Sequence, residues 1–428
     1  MNRVVVTGLG VVAPNGVGIA AFEDAIRNGS SGIRYDPQLE ELNFSCRVSG
    51  RPQITEEIVS KYLTELELRN FNSSGILYGL IAGIDAWHDA GLAPGDEVDY
   101  DSGTLFGTGS LGTDKFRESI YRIDAGDTRR LGSTAVQQTM SSGVAAYLAG
   151  KIGLGNQVSS NSSACCTGTE SVIMSYERIR SGQAERMIAG STGDSGPYIW
   201  AGFDAMRVLT SRSNDHPKAA SRPMSATASG FVPASGAGAL VLESLDSALQ
   251  RGARIYCEIA GGVVNSGGQR APGSMTAPNP EAVIRCITQS LSQANIGASQ
   301  IDVINGHLTA TVKDSLEISN WVQALGRGGV EFPYINSVKG LIGHCLAGAG
   351  SIECVASVLQ VSGSFIAGNA NCEDLHPEIS ALIDRSRIPM STIEKKPIAY
   401  LAKASFGFGD VNACVILKKY TNESNPHH

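Results

Sequence analysis

One cysteine and two histidines stand out, because each lies beside small residues where a strand is expected to end and a helix to begin. Cys165 is in the run Asn161–Glu170, His307 follows an apolar strand, and His344 follows two glycines. The free N–H groups and the dipole at a helix N-terminus favour a thiolate. This pattern favours a cysteine nucleophile served by two imidazoles. An inert buried cysteine and two structural histidines remain the alternative.

A fourth segment, Ser405–Asn412, alternates glycine and phenylalanine before a predicted strand. Such a segment can be a hairpin packed by Phe406 and Phe408. It can also be a mobile loop that gates an acyl tunnel and offers a backbone N–H to an oxyanion. Taken by itself, the segment does not decide between the two.

The composition is that of a globular protein that does not bind nucleic acid. Of the 428 residues, 42% are apolar and 18% are charged, and the net charge is -7. An acidic balance argues against a phosphate-binding surface. Neither a membrane span nor a secretory signal is predicted. The nine cysteines are scattered without a CxxC pair, so we expect reduced thiols, a cytoplasmic location and no metal site.

Short apolar runs that end in glycine alternate with longer helical stretches, which is typical of an α/β protein. Strands are predicted at 4–12, 102–107, 187–190, 239–243 and 255–264, and helices at 20–28, 75–90 and 281–294. The runs 162–175 and 343–357 both lead from small residues into a helix, and each contains a glutamate. This echo is a weak sign of internal duplication.

With these four segments, the chain resembles a β-ketoacyl-[acyl-carrier-protein] synthase of the elongating type. The resemblance runs from Arg3–Gly10 through Gly202–Met206 and Ala220–Pro223 to Ser405–Asn412. It implies the thiolase fold, a duplicated αβαβα layered sandwich with two mixed sheets among three helical layers. The expected domains are an N-terminal half at 1–254 with the cysteine, a C-terminal half at 255–420 with both histidines and the gating loop, and a tail at 421–428.

The resemblance assigns the acyl-enzyme chemistry to Cys165, which would accept an acyl chain from the phosphopantetheine of a carrier protein. The backbone N–H groups of Cys165 and Phe408 would form the oxyanion hole. Phe408 would be the gating residue, with Phe406 packed beside it.

The resemblance assigns the malonyl chemistry to His307 and His344. Both would bind the malonyl thioester as neutral N–H donors, assist the loss of CO2 and stabilise the enolate that attacks the acyl thioester. Lys339 is expected to pair with Glu317 and to hold the site together. The implied reaction is a decarboxylative Claisen condensation that elongates a fatty acid, polyene or polyketide chain.

The implied partners are an acyl carrier protein and a second ketosynthase-like chain. Arg129 and Arg130, together with Arg69, are the candidate docking residues for the acidic carrier protein. The second chain would be either a copy of this one or a chain-length-factor-like subunit, paired through the strand that leads to the cysteine. No free cofactor is expected.

Several residues depart from the family pattern. Leu308 stands where glycine usually follows the first histidine, and its loop is one residue shorter. Ser229 and Ser235 replace acidic residues, and Asp410-Val411 replaces Gly-Thr in the last loop. These changes favour a specialised synthase, for example in an aryl-polyene, pigment or type II polyketide pathway.

Three other functions agree less well with these residues. A non-catalytic chain-length partner normally lacks the cysteine that this chain keeps. A thiolase acting on coenzyme A esters needs a second cysteine in a glycine loop, whereas Cys414 lies in a strand pattern. A Cys–His hydrolase leaves the Phe-Gly loop without a role.

Overall fold

The computed structural model describes residues 1–421, so nearly all of the expected tail at 421–428 lies outside the described residues. The strands are β1 Val4–Ala13, β2 Gly16–Val17, β3 Ile33–Tyr35, β4 Val48–Gly50, β5 Ser102–Thr108, β6 Val158–Ser159, β7 Arg186–Gly193, β8 Gly236–Ser244, β9 Cys257–Ser266, β10 Val303–Asn305, β11 Tyr334–Asn336, β12 Tyr400–Gly407 and β13 Val411–Lys418.

The α-helices alternate with these strands, and three of them match the helices predicted at 20–28, 75–90 and 281–294 to within one residue at each end. They are α1 Ile19–Arg27, α2 Pro37–Glu41, α3 Glu56–Val59, α4 Glu65–Leu68, α5 Ser74–Asp89, α6 Thr113–Asp124, α7 Ala135–Thr139, α8 Gly143–Ile152, α9 Thr167–Arg180, α10 Pro197–Ala205, α11 Leu245–Gln250, α12 Pro280–Gln293, α13 Asp314–Leu325, α14 Lys339–Ile342, α15 Ala349–Gly363 and α16 Pro377–Leu382.

The two halves of the main sheet have the same topology. The strand order is β6-β5-β7-β8-β1 in the first half and β11-β10-β12-β13-β9 in the second. In both, the three outer strands are parallel and the remaining pairings are antiparallel. The internal duplication expected from the echo in the sequence is therefore present in the fold.

The two half-sheets are continuous rather than separate, which differs from the two sheets expected. Val4, Val5 and Val6 of β1 pair antiparallel with Ile259, Glu258 and Cys257 of β9. These β1 residues are fully buried, as expected for a central strand with apolar side chains on both faces.

Helices α9 and α15 form the central layer and contact both half-sheets. Helices α5 and α8 cover one outer face, and α12, with α13 packed against it, covers the other. Gly168 and Gly350 lie where the two central helices cross. A Cβ on Gly168 would lie 2.2 Å from the backbone nitrogen of Ser351, and one on Gly350 would lie 2.6 Å from that of Thr169. Only glycine permits this approach, which brings the N-terminal ends of both helices to one place.

Leu346–Gly363, which contains α15, is long and apolar enough by composition to cross a membrane, with a mean hydropathy of 1.2. However, 83% of this stretch is buried inside the protein. Its apolar residues therefore belong to the core of the fold, as those of a central helix must.

Candidate active site

Cys165 lies in a short 3-10 turn, Ala164–Cys166, between β6 and α9. The Asn161 side chain donates hydrogen bonds to the Thr167 carbonyl at 2.9 Å and to Oε2 of Glu170 at 2.7 Å, which fixes the loop before the turn. Ala164 has a φ of +50°, so the chain reverses sharply just before the cysteine. The turn therefore presents the Cys165 thiol at the N-terminal end of α9.

His344 enters the site from the matching corner of the second half, before α15. Its backbone N–H donates to the Val232 carbonyl at 2.8 Å, and its Nδ1 accepts the backbone N–H of Leu346 at 3.2 Å. A neutral ring that accepts at Nδ1 carries its proton on Nε2. Because Nε2 lies 3.2 Å from Sγ of Cys165, it donates a hydrogen bond to the sulfur.

His307 follows β10 and is held by the first turns of α13. Glu317 accepts the backbone N–H of His307 on one carboxylate oxygen and that of Leu308 on the other, each at 2.7 Å. The rings of His307 and His344 stand edge to face with centroids 5.4 Å apart. The sulfur of Cys165 and one ring nitrogen of each histidine lie within 4.8 Å of one another. Three such atoms are also able to ligate a metal ion, so the absence of a metal stays a prediction.

Burial controls protonation in this site. It lowers the pKa of His307 and of His344 well below the usual value, with the positive charge of Lys339 adding to the effect, so both rings are neutral. It also raises the pKa of the Cys165 thiol to about 11, although Lys339 and the Phe408 backbone N–H oppose the rise. Burial thus favours the thiol form of Cys165 over the thiolate that the sequence pattern suggested.

Lys339 does not pair with Glu317 as expected. Its ammonium group forms an ion pair with Glu353 of α15, and Lys403 of β12 pairs with the other carboxylate oxygen of Glu353 at 2.8 Å. All three side chains are buried. Glu317 is already occupied by two backbone donors, and burial raises its pKa to about 7. Lys339 thus belongs to a buried Lys–Glu–Lys cluster behind the histidines.

Two cavities meet at Cys165. The outer cavity, about 380 Å³, contains both histidines and reaches Thr276, Pro278 and Lys313. The second cavity, about 300 Å³, lies across Phe408 from the histidines and is called the inner cavity; it is open to solvent at the exposed Ser110 and Ser162. Both are also lined by Phe203, Leu346 and Phe408.

Phe408 stands where the two cavities meet, with its ring 6.0 Å from that of Phe203. The backbone N–H groups of Phe408 and Cys165 lie close enough to the sulfur to lower its pKa. Phe406 packs instead against the His307 ring, with centroids 6.2 Å apart. The position of Phe408 fits the gating role that the resemblance implied, whereas Phe406 packs on His307 and not on the Phe408 ring; the roles of both residues stay predictions.

Comparison with known proteins gives the same assignment for the whole chain. Residues 1–248 match the family model of the β-ketoacyl synthase N-terminal domain, and residues 256–373 match that of the C-terminal domain. The chain belongs to the β-ketoacyl synthase family. The fold class expected from the resemblance is confirmed, and the synthase is an acyltransferase.

Similar proteins cover the synthase from end to end. A 3-oxoacyl-[acyl-carrier-protein] synthase 2 of Vibrio harveyi is 32% identical over 98% of this chain and 99% of its own. A ketosynthase solved with its type II polyketide acyl-carrier protein and bound to a hexaketide is 30% identical, with a TM-score of 0.86 over 98% of this chain and 100% of that one. The ishigamide ketosynthase/chain length factor is 25% identical, with a TM-score of 0.87 and coverage of 98% and 100%.

The predicted docking residues of the synthase are exposed but lie away from the cavity lining. Arg129 and Arg130 form a 3-10 turn after α6, and Arg69 ends α4. The sequence interpretation missed two cations at the outer cavity. Lys313 lines it, and exposed Arg207 follows the lining residue Met206. No motif marks either one, because only the folded chain brings them to the opening.

The sequence interpretation also missed Glu353 and Lys403 as parts of the site. A sequence signal for Glu353 did exist, because the similar runs in the two halves each contain a glutamate, but the sequence did not indicate its partner. Lys403 lies inside an otherwise apolar strand, and a lysine there requires a buried counter-ion.

Proposed function

We propose that this synthase condenses malonyl-[acyl-carrier-protein] with an acyl chain held on Cys165. The observation that carries the proposal is the position of the Cys165 sulfur, at the junction of two cavities and beside an imidazole donor and two backbone N–H groups. The thioester carbonyl of the incoming acyl group would place its oxygen at the N–H groups of Cys165 and Phe408. Preformed donors at this point stabilise the negative charge that develops when sulfur attacks. The C–S bond to phosphopantetheine then breaks, and the proton from the Cys165 thiol ends on the phosphopantetheine sulfur, which leaves as a thiol.

The condensation step uses the two histidines as neutral donors. The malonyl thioester binds with its carbonyl oxygen toward His307 and His344, and the C–C bond to the carboxylate breaks to release CO2. The electron pair left on carbon forms an enolate, and the enolate oxygen accepts hydrogen bonds from the imidazole N–H groups. That carbon attacks the acyl-Cys165 carbonyl, and the sulfur leaves as a thiolate. Uncharged rings suit this task because the charge that they stabilise exists only in the transition state and the enolate.

The substrates are carried on the phosphopantetheine of an acyl carrier protein, and no free cofactor takes part. We place the carrier protein over the outer cavity and keep Arg69, Arg129 and Arg130 as its docking residues. The solved ketosynthase complex with a type II polyketide carrier protein supports this partner. Lys313 and Arg207 extend the candidate docking surface to the cavity opening.

A specialised pathway and a dimer complete the proposal. Ser229 and Asp410 remain as departures from the fatty-acid pattern, and the similar structures include a polyketide ketosynthase and a ketosynthase/chain length factor. Strand β6 is the last strand of its half-sheet, and its Val158 is exposed, which suits pairing with a second chain. That chain is a copy of this one or a chain-length-factor-like subunit. The nine free cysteines suit a cytoplasmic location.

The test is acyl transfer from an acyl carrier protein, measured by the mass of the intact chain and of its Cys165 peptide. The wild-type chain should gain one acyl group, and Cys165→Ala should gain none while keeping its fold by circular dichroism. Cys166→Ala is the matched control, since the Cys166 thiol is buried and donates to the Ser405 and Val411 carbonyls. The proposal fails if Cys165→Ala still forms the acyl-enzyme or elongates chains at the wild-type rate.

A further inference from the structure

The turn that carries Phe408 is bound to one segment, Gly267–Asn279, which we call the anchor segment. Two backbone hydrogen bonds join them: the Gly267 N–H donates to the Asp410 carbonyl at 2.9 Å, and the Gly409 N–H donates to the Met275 carbonyl at 2.8 Å. The Asp410 side chain adds two more. Its Oδ2 accepts the Gln269 N–H at 3.0 Å, and its Oδ1 accepts the Asn279 N–H at 2.7 Å.

The Asp410 carboxylate fills a space that two glycines leave open. Asp410 is fully buried. A Cβ on Gly267 or on Gly273 would lie 2.2 or 2.5 Å from its Oδ2. Asp410 also has a φ of +60°, a conformation that aspartate tolerates better than most residues. Backbone conformation, local glycines and amide donors are therefore all matched to an aspartate at this position.

Both partners of this contact border the reaction path. Phe408 lies two residues before Asp410 and lines both cavities, while Thr276 and Pro278 of the anchor segment line the outer cavity. We propose that Asp410 is a positioning residue that holds Phe408 across the passage between the cavities. The proposal deepens the proposed function, since it rests on an acyl chain reaching the inner cavity past Phe408.

This arrangement opposes opening of the passage. If Phe408 swings aside with its turn, Asp410 must leave the N–H groups of Gln269 and Asn279 or pull the anchor segment with it. The Asp410 carboxylate is fully buried, and a buried carboxylate that loses its hydrogen-bond donors is destabilised, so these contacts stabilise the closed position. Glycine at position 410 would keep the backbone conformation and remove the two side-chain hydrogen bonds. The passage should then open more easily to long chains.

Two alkylating agents with the same reactive group measure this passage without any carrier protein. Iodoacetamide reaches the Cys165 sulfur from the outer cavity. N-dodecyl iodoacetamide must also pass its dodecyl chain beyond Phe408 into the inner cavity. We expect Asp410→Gly to raise the ratio of the dodecyl rate to the iodoacetamide rate about fivefold or more, with adducts mapped to the Cys165 peptide. Asp410→Asn keeps the shape but only one acceptor oxygen, so its ratio should lie between those of wild type and glycine.

Asp302→Gly is the matched control, because Oδ2 of Asp302 also accepts two backbone N–H groups, from Ala399 and Tyr400, at 2.6 and 3.1 Å. It should leave the ratio within about twofold of wild type. Asp410→Gly added to Phe408→Ala should likewise leave the ratio within about twofold of that of Phe408→Ala alone. The proposal is overturned if neither Asp410 variant changes the ratio, or if the change persists without the Phe408 ring. The proposed function is tested separately, by measuring acylation of Cys165 in the wild-type chain.

Discussion

The two halves of the synthase have the same strand order, yet their equivalent corners carry different chemistry. In the first half, the corner before α9 holds Cys165, the proposed nucleophile, and the nearby Glu170 accepts hydrogen bonds from the neutral side chains of Asn161 and Ser163. In the second half, the corner before α15 holds His344, and Glu353 lies between two buried lysines. Duplication has thus produced one reactive corner and one charged supporting corner.

The difference shows how a duplicated fold builds an asymmetric site. The crossing of α9 and α15 at Gly168 and Gly350 brings the two corners together whatever residues they carry. Each half then contributes what the other lacks. A sulfur that must become charged lies against uncharged rings, and the permanent charges stay behind those rings in a mutually neutralising cluster.

The sharpest test of this contrast is to neutralise the two glutamates one at a time. Glu353→Gln leaves Lys339 and Lys403 buried without a counter-ion, so the free energy of unfolding should fall by about 3–5 kcal/mol. Glu170→Gln keeps neutral partners, and the same quantity should fall by about 1 kcal/mol. Urea unfolding followed by circular dichroism measures both. Equal losses of unfolding free energy in the two variants would show that the charged cluster does not distinguish the second corner from the first.

The second prediction concerns the resting state of the reactive corner. Because burial raises the pKa of the Cys165 thiol to about 11, the thiolate fraction is small at neutral pH and grows as pH rises. The iodoacetamide alkylation rate at Cys165 should therefore increase about a hundredfold from pH 7 to pH 9. A plateau below pH 8 would mean that the helix N-terminus and His344 already produce the thiolate in the free enzyme.

The smallest effect is expected where the second half holds His307 through Glu317. Glu317→Gln leaves one acceptor oxygen for two backbone N–H groups, so His307 should shift and kcat should fall about tenfold, with a smaller change in KM. The wild-type kcat should also decline as pH falls through about 7, where the raised pKa of Glu317 lets its carboxylate take up a proton. The variant should lack this acid limb.

The Glu317 carboxylate should also make the free energy of unfolding depend on pH, in a direction that its raised pKa determines. Its pKa is higher in the folded chain than the usual 4.5, so the folded state binds the proton more tightly than the unfolded state between about 4.5 and 7. This group therefore lowers the free energy of unfolding as pH rises through that window. Glu317→Gln should remove the contribution, which unfolding midpoints measured at pH 5 and pH 7 would detect.

Local patterns in the sequence were enough to place much of the site. The small-residue corners at Cys165 and His344, the strand end at His307 and the Gly-Phe alternation at Phe408 are all visible as residue types in order, because strand-to-helix corners and glycine turns depend on nearby residues. The alternation of strands and helices likewise predicted the α/β class. Family resemblance supplied the layered topology, which periodicity alone does not.

Tertiary structure decided what depends on distant partners. Lys339 pairs with Glu353 rather than Glu317, and Lys403 joins them, because a buried charge takes whichever counter-ion the fold brings within reach. Burial inside the folded chain raises the pKa of the Cys165 thiol to about 11, which the local sequence pattern did not indicate. The contact of Asp410 with Gln269 and Asn279 spans more than 130 residues of chain, and no local pattern encodes it. Spacing along the chain determined which groups were available, and packing determined their charge states and their partners.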